Sequence, residues 1–238
     1  MIRHPRLPKV MHGASHPRGG WRRHAMNGRE GLLESGLACF RGRSGASHAS
    51  GEMNLMFDKE RIIYQLERTR VFTLQMIERI PQDRWFDMPM GITHVAWNVG
   101  HIAVAQYFLG MVFVRGAREE DAGMIAGNYA ELFGYGSVPQ ADPALYPSPE
   151  ELMQTLGAVH RQLLVEAGAM PAEELEEPCL FLEGEFDHHP IFKQKGGALE
   201  WIAFHEHVHV GTIGLLRREL GSVPIDYFKE SREGRVFV

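Results

Sequence analysis

The sequence of 238 residues has only two cysteines and no uninterrupted apolar segment long enough to cross a bilayer. Cys39 and Cys179 lie far apart, which excludes a disulfide-rich scaffold and fits a reducing compartment. A membrane-spanning helix needs about 20 apolar residues, but the longest apolar stretch, residues 102–114, is interrupted by Gln106 and Gly110. We therefore expect a cytoplasmic protein without a membrane partner, in which this stretch is a buried helix.

Positive charge is also scarce outside the N-terminus. The net charge is −5. Residues 1–52 contain nine Lys and Arg and three acidic residues, whereas the remaining residues contain 16 Lys and Arg and 27 acidic residues. An acidic body binds the phosphate backbone of nucleic acids poorly. Nucleic acid is therefore not an expected partner, and we expect a small-molecule substrate instead.

The N-terminal segment is rich in Gly, Ser, Arg and His and has no period of 2 or 3.6. It buries too little apolar surface to offset its ordering entropy, which predicts disorder. It is Arg-rich like a transit peptide, but it lacks amphipathic spacing and a secretory h-region. We favour an interpretation in which it derives from upstream sequence and the native start is Met53 or Met56. The expected organisation is a basic leader over 1–52, a helical bundle over 53–225 and a C-terminal tail over 226–238.

Four segments carry helix start or stop signals, which predicts an all-α four-helix bundle. The first segment begins at the N-cap Asp58, with Phe57 and Ile62 as a hydrophobic staple, and ends before Pro81. Arg70 interrupts its apolar stripe, from which we expect one solvated edge along this helix.

The other three helices are predicted from similar signals. The second covers about residues 94–114 and is apolar on most sides, as expected for a central helix. The third begins at residues 148–151 (SPEE), which supply an N-cap, a first-turn proline and a capping-box glutamate. The fourth is predicted to begin after residues 196–197 (GG) and to end at Gly221.

Two connections, residues 117–147 and 171–196, are too long for simple bundle turns. Loops of this length often act as lids or as walls of a site. The second connection contains His188 and His189. These two residues are either solvent-exposed loop histidines or close over a site from the loop.

Two histidines lie in the apolar, core-facing stripe of the fourth helix. Because a helix advances about 100° per residue, His205 and His209 share one face, whereas His207 points the opposite way. Buried imidazoles are costly without a partner, and two imidazoles one turn apart can converge on a metal ion. The alternative is a pair of core histidines hydrogen-bonded to backbone or carboxylate groups.

The second helix offers a third ligand at His101. It shares a face with His94, which lies seven residues, or about 10 Å, earlier along the axis, so both do not bind one ion without distortion. His101 lies deeper in the helix and is the better candidate. His94 is then a wall of the pocket mouth or a helix-start histidine that faces solvent. His160 lies beside the buried stripe of the third helix and is expected to be a residue at the boundary between core and surface.

Residues 205–209 (HEHVH) also match the H-E-x-x-H motif of zinc proteases, in which Glu206 would be the general base. That motif needs a downstream ligand, but Thr212 and Leu215 occupy the Gly and His positions of its extended form and no histidine follows. Nothing upstream predicts a sheet to hold an extended substrate. A metalloprotease is therefore the minor alternative.

The two histidine motifs resemble those of the DinB/YfiT-like family of metal-binding four-helix bundles. The resemblance rests on residues 97–101 (WNVGH) and on the HxxxHxG pattern of residues 205–211, and it covers about residues 54–222. Thr212 stands where family members often carry Gln. The resemblance implies that His101, His205 and His209 are the ligands of one divalent metal ion.

Three neutral histidine ligands leave a coordination position open, which is typical of catalytic metal sites. Imidazole suits zinc, nickel and iron alike. The resemblance implies a thiol-dependent S-transferase or isomerase, in which a low-molecular-weight thiol is the co-substrate and attacks a small electrophile. The alternative is a non-catalytic, stress-associated metal-binding bundle. Either kind of protein could form a homodimer.

Three residues are candidates for contacting a substrate in the pocket: His94, Asn98 and Glu206.

Overall fold

The structure is a computed structural model that describes residues 56–180, 190–223 and 225. The expected leader over 1–52, the tail over 226–238, and both His188 and His189 lie outside the described residues. The expected division of the chain into leader, bundle and tail therefore stays a prediction. The described residues form the predicted all-α bundle, with no strand among them beyond an isolated bridge between Pro178 and Gln194.

Four long helices and one short helix make up the described part of the chain. The bounds are α1, Lys59–Glu78; α2, Val95–Tyr107; α3, Tyr129–Phe133; α4, Pro149–Ala169; and α5, Lys195–Glu219. Helix α2 continues beyond Tyr107 through a π-helical turn, Phe108–Val112, to a final α-helical turn, Phe113–Arg115. The connection between α2 and α4 contains the short helix α3 and two 3-10 turns, so it is more ordered than a bare loop.

The predicted caps are present at three helix ends. The Asp58 carboxylate accepts from the backbone N–H of Arg61 at 3.1 Å at the start of α1. At the start of α4, Ser148 and Glu151 form the reciprocal capping box. Gly221 follows α5 with φ +87°, a left-handed conformation that glycine adopts without steric cost. These ends were predictable because each cap depends on residues close together in sequence.

Helix α2 lies at the centre of the bundle and contacts α4, α5 and the short α3. Its range Val95–Arg115 is long and apolar enough to cross a membrane by composition, but 67% of its most apolar 18-residue stretch is buried within the protein. Val99, Ile102 and Ala103 are fully buried. The expected interpretation as a buried helix is confirmed, and α2 positions one side of the site described below.

The expected solvated edge of α1 at Arg70 is wrong. Arg70 is only 6% exposed, and its guanidinium is paired with the carboxylate of Glu206 on α5. A buried guanidinium is tolerated when it has a charged partner, and this partner lies 136 residues away in sequence. The periodicity of α1 alone therefore could not reveal it.

Helix α5 begins at Lys195, before the two glycines that were expected to precede it. The ring of Phe57 lies where a side chain at Gly196 would stand, and the carbonyl of Ile191 occupies the same place at Gly197. These glycines therefore allow close packing at the helix start, an outcome that only the neighbouring segments determine.

Candidate metal centre

Three histidine rings from two helices meet within the bundle: His101 from α2, and His205 and His209 from α5. Their ring centroids are 4.7 to 5.1 Å apart. One ring nitrogen of each residue lies within 4.8 Å of the others, so that together they can hold a metal ion. The Nε2 atoms of His101 and His205 are 3.2 Å apart. The structure thus brings together the three residues that the sequence singled out.

Asn98 fixes the tautomer of His209. The side-chain amide nitrogen of Asn98 donates to the carbonyl of His94 at 2.8 Å and to Thr93 Oγ1 at 3.0 Å. Its amide oxygen therefore faces His209, where it accepts from Nδ1 at 2.9 Å. A proton on Nδ1 leaves the lone pair on Nε2, so the Nε2 atom of His209 is the one available to a metal. Such a partner on the far nitrogen is typical of metal-binding histidines.

His101 is oriented in the same way by a backbone carbonyl. Its Nδ1 donates to the carbonyl of Phe133, at the end of the short helix α3. The Phe133 ring packs where a side chain at Gly100 would stand, so α3 reaches this position only because residue 100 is glycine. On the other side, Trp97 stacks on the His101 ring, with centroids 4.6 Å apart and planes 12° apart. The WNVGH motif thus supplies a metal-binding candidate, the Trp97 ring that stacks on it and the glycine that lets Phe133 approach it.

All three rings are neutral near pH 7. Burial is the main cause and lowers the pKa of His205 to about 4 and that of His209 to about 3, with further lowering by the neighbouring histidines. Burial also lowers the pKa of His101, although the Phe133 carbonyl partly opposes this. Metal binding requires deprotonated imidazole nitrogens. Each ring of the triad is therefore uncharged and has one nitrogen with a free lone pair, and this set of ligands fits a divalent cation.

A family model described as the DinB superfamily matches residues 65–213. The match covers well over half of the chain and includes His101, His205 and His209. The chain belongs to the DinB superfamily. No curated protein matches the sequence.

Glu206 lies beside the triad in sequence, but its carboxylate points elsewhere. The side chain is 1% exposed, and its oxygens accept hydrogen bonds from Arg70, Thr73 and Gln106. One residue along a helix corresponds to a rotation of about 100°, which turns Glu206 away from His205 and into the bundle. A catalytic role for Glu206 stays a prediction, but these contacts favour a structural one.

His94 caps α2 instead of facing solvent. It is fully buried, and its Nδ1 accepts from the backbone N–H of Trp97 at 3.0 Å. Its ring packs against both Phe86 and Tyr146, with centroid distances of 5.6 and 5.0 Å. Burial lowers the pKa of His94 to about 4. The solvent-facing alternative is wrong, and a role for His94 in contacting substrate stays a prediction.

The first long connection forms part of the site, as expected for a loop of its length. Besides the Phe133 carbonyl, it contributes Ser137, whose hydroxyl accepts from Trp97 Nε1 at 3.0 Å, and Tyr146, which packs against Phe133 at 5.6 Å. Phe133 could not be identified from the sequence, because any residue type has a backbone carbonyl that can accept a hydrogen bond. The glycine in the WNVGH motif was the one available hint that another element packs closely there.

Proposed function

We propose that this DinB protein is a metal-dependent enzyme that uses a low-molecular-weight thiol to modify a small electrophile, either by S-transfer or by isomerisation. The observation that carries the proposal is the triad itself. Its neutral imidazoles are only partly buried, and two of them have their Nδ1 atoms held by Phe133 and Asn98. Three histidine donors with an accessible side are the arrangement found in catalytic metal sites.

The residues present fit a divalent cation, and His101, His205 and His209 would hold it. When bound, such an ion lowers the pKa of a thiol or water in its open position. The Asn98 oxygen and the Phe133 carbonyl keep the Nδ1 protons in place, which holds two of the rings in a fixed orientation. Trp97 covers one face of His101 and limits the access of water from that side. Zinc, nickel and iron all suit this donor set.

The chemistry of the proposed reaction is a substitution or addition at carbon. The thiol gives up its proton, and its sulfur forms a bond to the electrophilic carbon of the substrate. In a transfer, the leaving group departs with the bonding electron pair and solvent takes up the thiol proton. In an isomerisation, the sulfur adds to a double bond whose electron pair moves to the neighbouring atom; after the substrate has rearranged, that electron pair re-forms the double bond and expels the same thiol, which regains its proton from solvent. The two long connections are the elements that we propose select the substrate.

A thiol screen tests the proposal directly. The purified, metal-loaded chain is incubated with glutathione, bacillithiol or mycothiol and a panel of test electrophiles, and products are followed by mass spectrometry. We expect at least one of the thiols to give a conjugate or an isomer. This product should no longer form when the metal is removed or when His205 is changed to Ala. The absence of any metal-dependent product with all three thiols would contradict an S-transferase or isomerase.

The second candidate is a metal-binding bundle without turnover. It is favoured by the contacts of Glu206, whose carboxylate accepts from Arg70, Thr73 and Gln106 and so does not face the triad as a general acid or base. Tight metal binding without any product in the thiol screen is the result expected for this candidate. The minor alternative, a zinc protease, is disfavoured because the carboxylate of Glu206 is occupied by Arg70 and its neighbours.

Partner and compartment are part of the same proposal. We infer a small-molecule substrate, a cytoplasmic location and a bundle that can associate as a homodimer. Light scattering of the purified chain measures its oligomeric state, and fractionation of cells measures its compartment. A membrane-bound or nucleic-acid-bound pool in that fractionation would contradict the inferred partners.

A further inference from the structure

A buried polar cluster, formed by Arg70, Thr73, Gln106 and Glu206, joins all four long helices at one point. Arg70 and Thr73 belong to α1, Gln106 to α2 and Glu206 to α5. Helix α4 joins through the carbonyl of Leu156, which accepts from Arg70 Nη1 at 2.9 Å. None of the four residues is more than 6% exposed. The cluster thus fixes the four helices relative to one another from within the core.

Both carboxylate oxygens of Glu206 are fully engaged. Oε1 accepts from Arg70 Nε at 2.8 Å and from Thr73 Oγ1 at 2.5 Å. Oε2 accepts from Gln106 Nε2 at 2.8 Å and from Arg70 Nη2 at 3.2 Å. Arg70 Nη2 also donates to Gln106 Oε1 at 3.0 Å. Four donors from two different helices therefore hold one side chain of α5 in one position.

Stability alone is a poor reason for such a cluster. The free-energy cost of desolvating two buried charges offsets most of their electrostatic attraction. Apolar residues of similar volume at the same positions often stabilise a protein as well or better. A buried ion pair does, however, impose a geometry that apolar contacts do not, because its hydrogen bonds are directional. The cluster is therefore better explained by the orientation it imposes on α5 than by its contribution to folding.

That orientation matters because Glu206 lies between two histidines of the triad on α5. Side-chain atoms on a helix surface lie about 5–6 Å from its axis, so a rotation of about 20° moves them by about 2 Å. Metal–nitrogen bonds are themselves only about 2 Å long, and a site tolerates deviations of about 0.2 Å. A small rotation of α5 would thus carry His205 and His209 out of reach of an ion shared with His101.

We propose that Glu206 and Arg70 are positioning residues for the metal centre. The Arg70–Glu206 pair sets the rotation of α5, and thereby places His205 and His209 opposite His101 on α2. The inference rests on the metal binding in the proposed function. It also gives Glu206 a role in which its carboxylate touches neither metal nor substrate, although the sequence places it inside an H-E-x-x-H motif.

Cobalt binding to the full-length, metal-depleted chain tests this inference. The dissociation constant comes from competition titration, and the visible absorption of Co²⁺ reports the coordination geometry. We expect Glu206→Gln to weaken Co²⁺ binding at least tenfold, within the 10–100-fold range of outer-shell changes, and to alter the absorption band. The double variant Arg70→Met/Glu206→Met removes both charges without changing the net charge, so a similar effect there isolates geometry from electrostatics.

Two further variants control for stability. Glu166→Gln makes the same chemical change in a second Arg–Glu pair, with Arg115 at 2.6 Å, and should leave the Co²⁺ affinity within twofold and the band unchanged. Thr73→Val removes only the hydroxyl that donates to Glu206, and it should weaken Co²⁺ binding about threefold. This variant tests the positioning role if the other cluster variants fail to fold. Circular dichroism and thermal melts identify folded variants.

The outcomes separate the two proposals. If the wild-type chain does not bind Co²⁺, the proposed metal-dependent function is wrong, and the inference falls with it. If the wild type binds but the folded cluster variants keep its affinity and spectrum, only the positioning role is overturned. If Glu166→Gln changes binding as much as Glu206→Gln, the effect is one of general stability and the positioning role is also overturned.

Discussion

Asn98 shows how a single side chain decides the chemistry of a neighbouring one. Its amide nitrogen is committed to Thr93 and His94, which leaves only its oxygen to face His209. The sequence predicted Asn98 as a pocket residue, but it could not show that the amide oxygen faces His209, which lies 111 residues away in sequence. The histidines themselves were predictable, because the i, i+4 pair on an apolar face follows from helix geometry alone.

The residue-scale prediction concerns the three histidines. His205→Ala should reduce bound metal from about one ion per chain to near zero, because two ligands rarely hold a divalent ion against water and buffer. Elemental analysis of the purified variant measures this. His207→Ala is the matched control on the same helix, since His207 is exposed and bonds to Thr69 and Ala203 instead. Equal metal content in both variants would exclude the triad as the site.

At the scale of the element, helix α2 is a structural unit that prepares one side of the site. Its N-cap is His94, its first turns carry Trp97 and Asn98, and Gly100 admits the ring of Phe133. Composition predicted the helix and its burial. The contact between α2 and α3 was not predictable, because the connection between α2 and α4 gave no helix signal strong enough to place α3.

Gly100→Ala tests the contact between α2 and α3. The new methyl group would overlap the Phe133 ring, and overpacking of this kind costs about 1–3 kcal/mol of unfolding free energy. We expect lower stability in urea and weaker metal binding, because the Phe133 carbonyl would be displaced from His101. Gly168→Ala is the control: Gly168 is exposed and no atom lies within 4 Å of an added side chain, so stability should be unchanged or higher by up to about 1 kcal/mol. Equal behaviour of both variants would contradict the close approach of Phe133.

At the scale of the whole molecule, buried neutral histidines make folding sensitive to acid. His160 is an example outside the triad: it is 7% exposed, and burial, with a smaller contribution from Arg70, lowers its pKa to about 4. It was expected beside the buried stripe of α4, at the boundary between core and surface, and it is buried there next to a surface groove. Its ordinary pKa of about 6.5 applies to the unfolded chain. Between the two pKa values, His160 is protonated in the unfolded chain but not in the folded chain. The free energy of unfolding therefore falls as the pH falls through this range.

Urea unfolding of the metal-free protein at pH 7 and pH 5 measures this effect. From the two pKa values, His160 alone should account for a loss of about 2 kcal/mol of unfolding free energy between the two pH values. The His160→Leu variant should therefore lose less unfolding free energy than the wild type between pH 7 and pH 5, and the difference should be about 2 kcal/mol. The triad histidines contribute equally to the pH dependence of both proteins. An identical pH dependence in wild type and variant would show that His160 is not buried in its neutral form.

The sequence by itself determined the four long helices and most of the apolar positions that they bury. Caps such as Asp58 and Ser148, and the stripe that carries His205 and His209, depend on residues within one or two turns of each other, where helix geometry and local hydrogen bonding decide the outcome. Only the tertiary structure decided that Arg70 is buried against Glu206, that Asn98 and Phe133 hold the imidazoles, and that His94 is a buried cap. These contacts arise where surfaces from distant segments meet, and the free energy of burying a polar group depends on a partner that the local sequence does not contain.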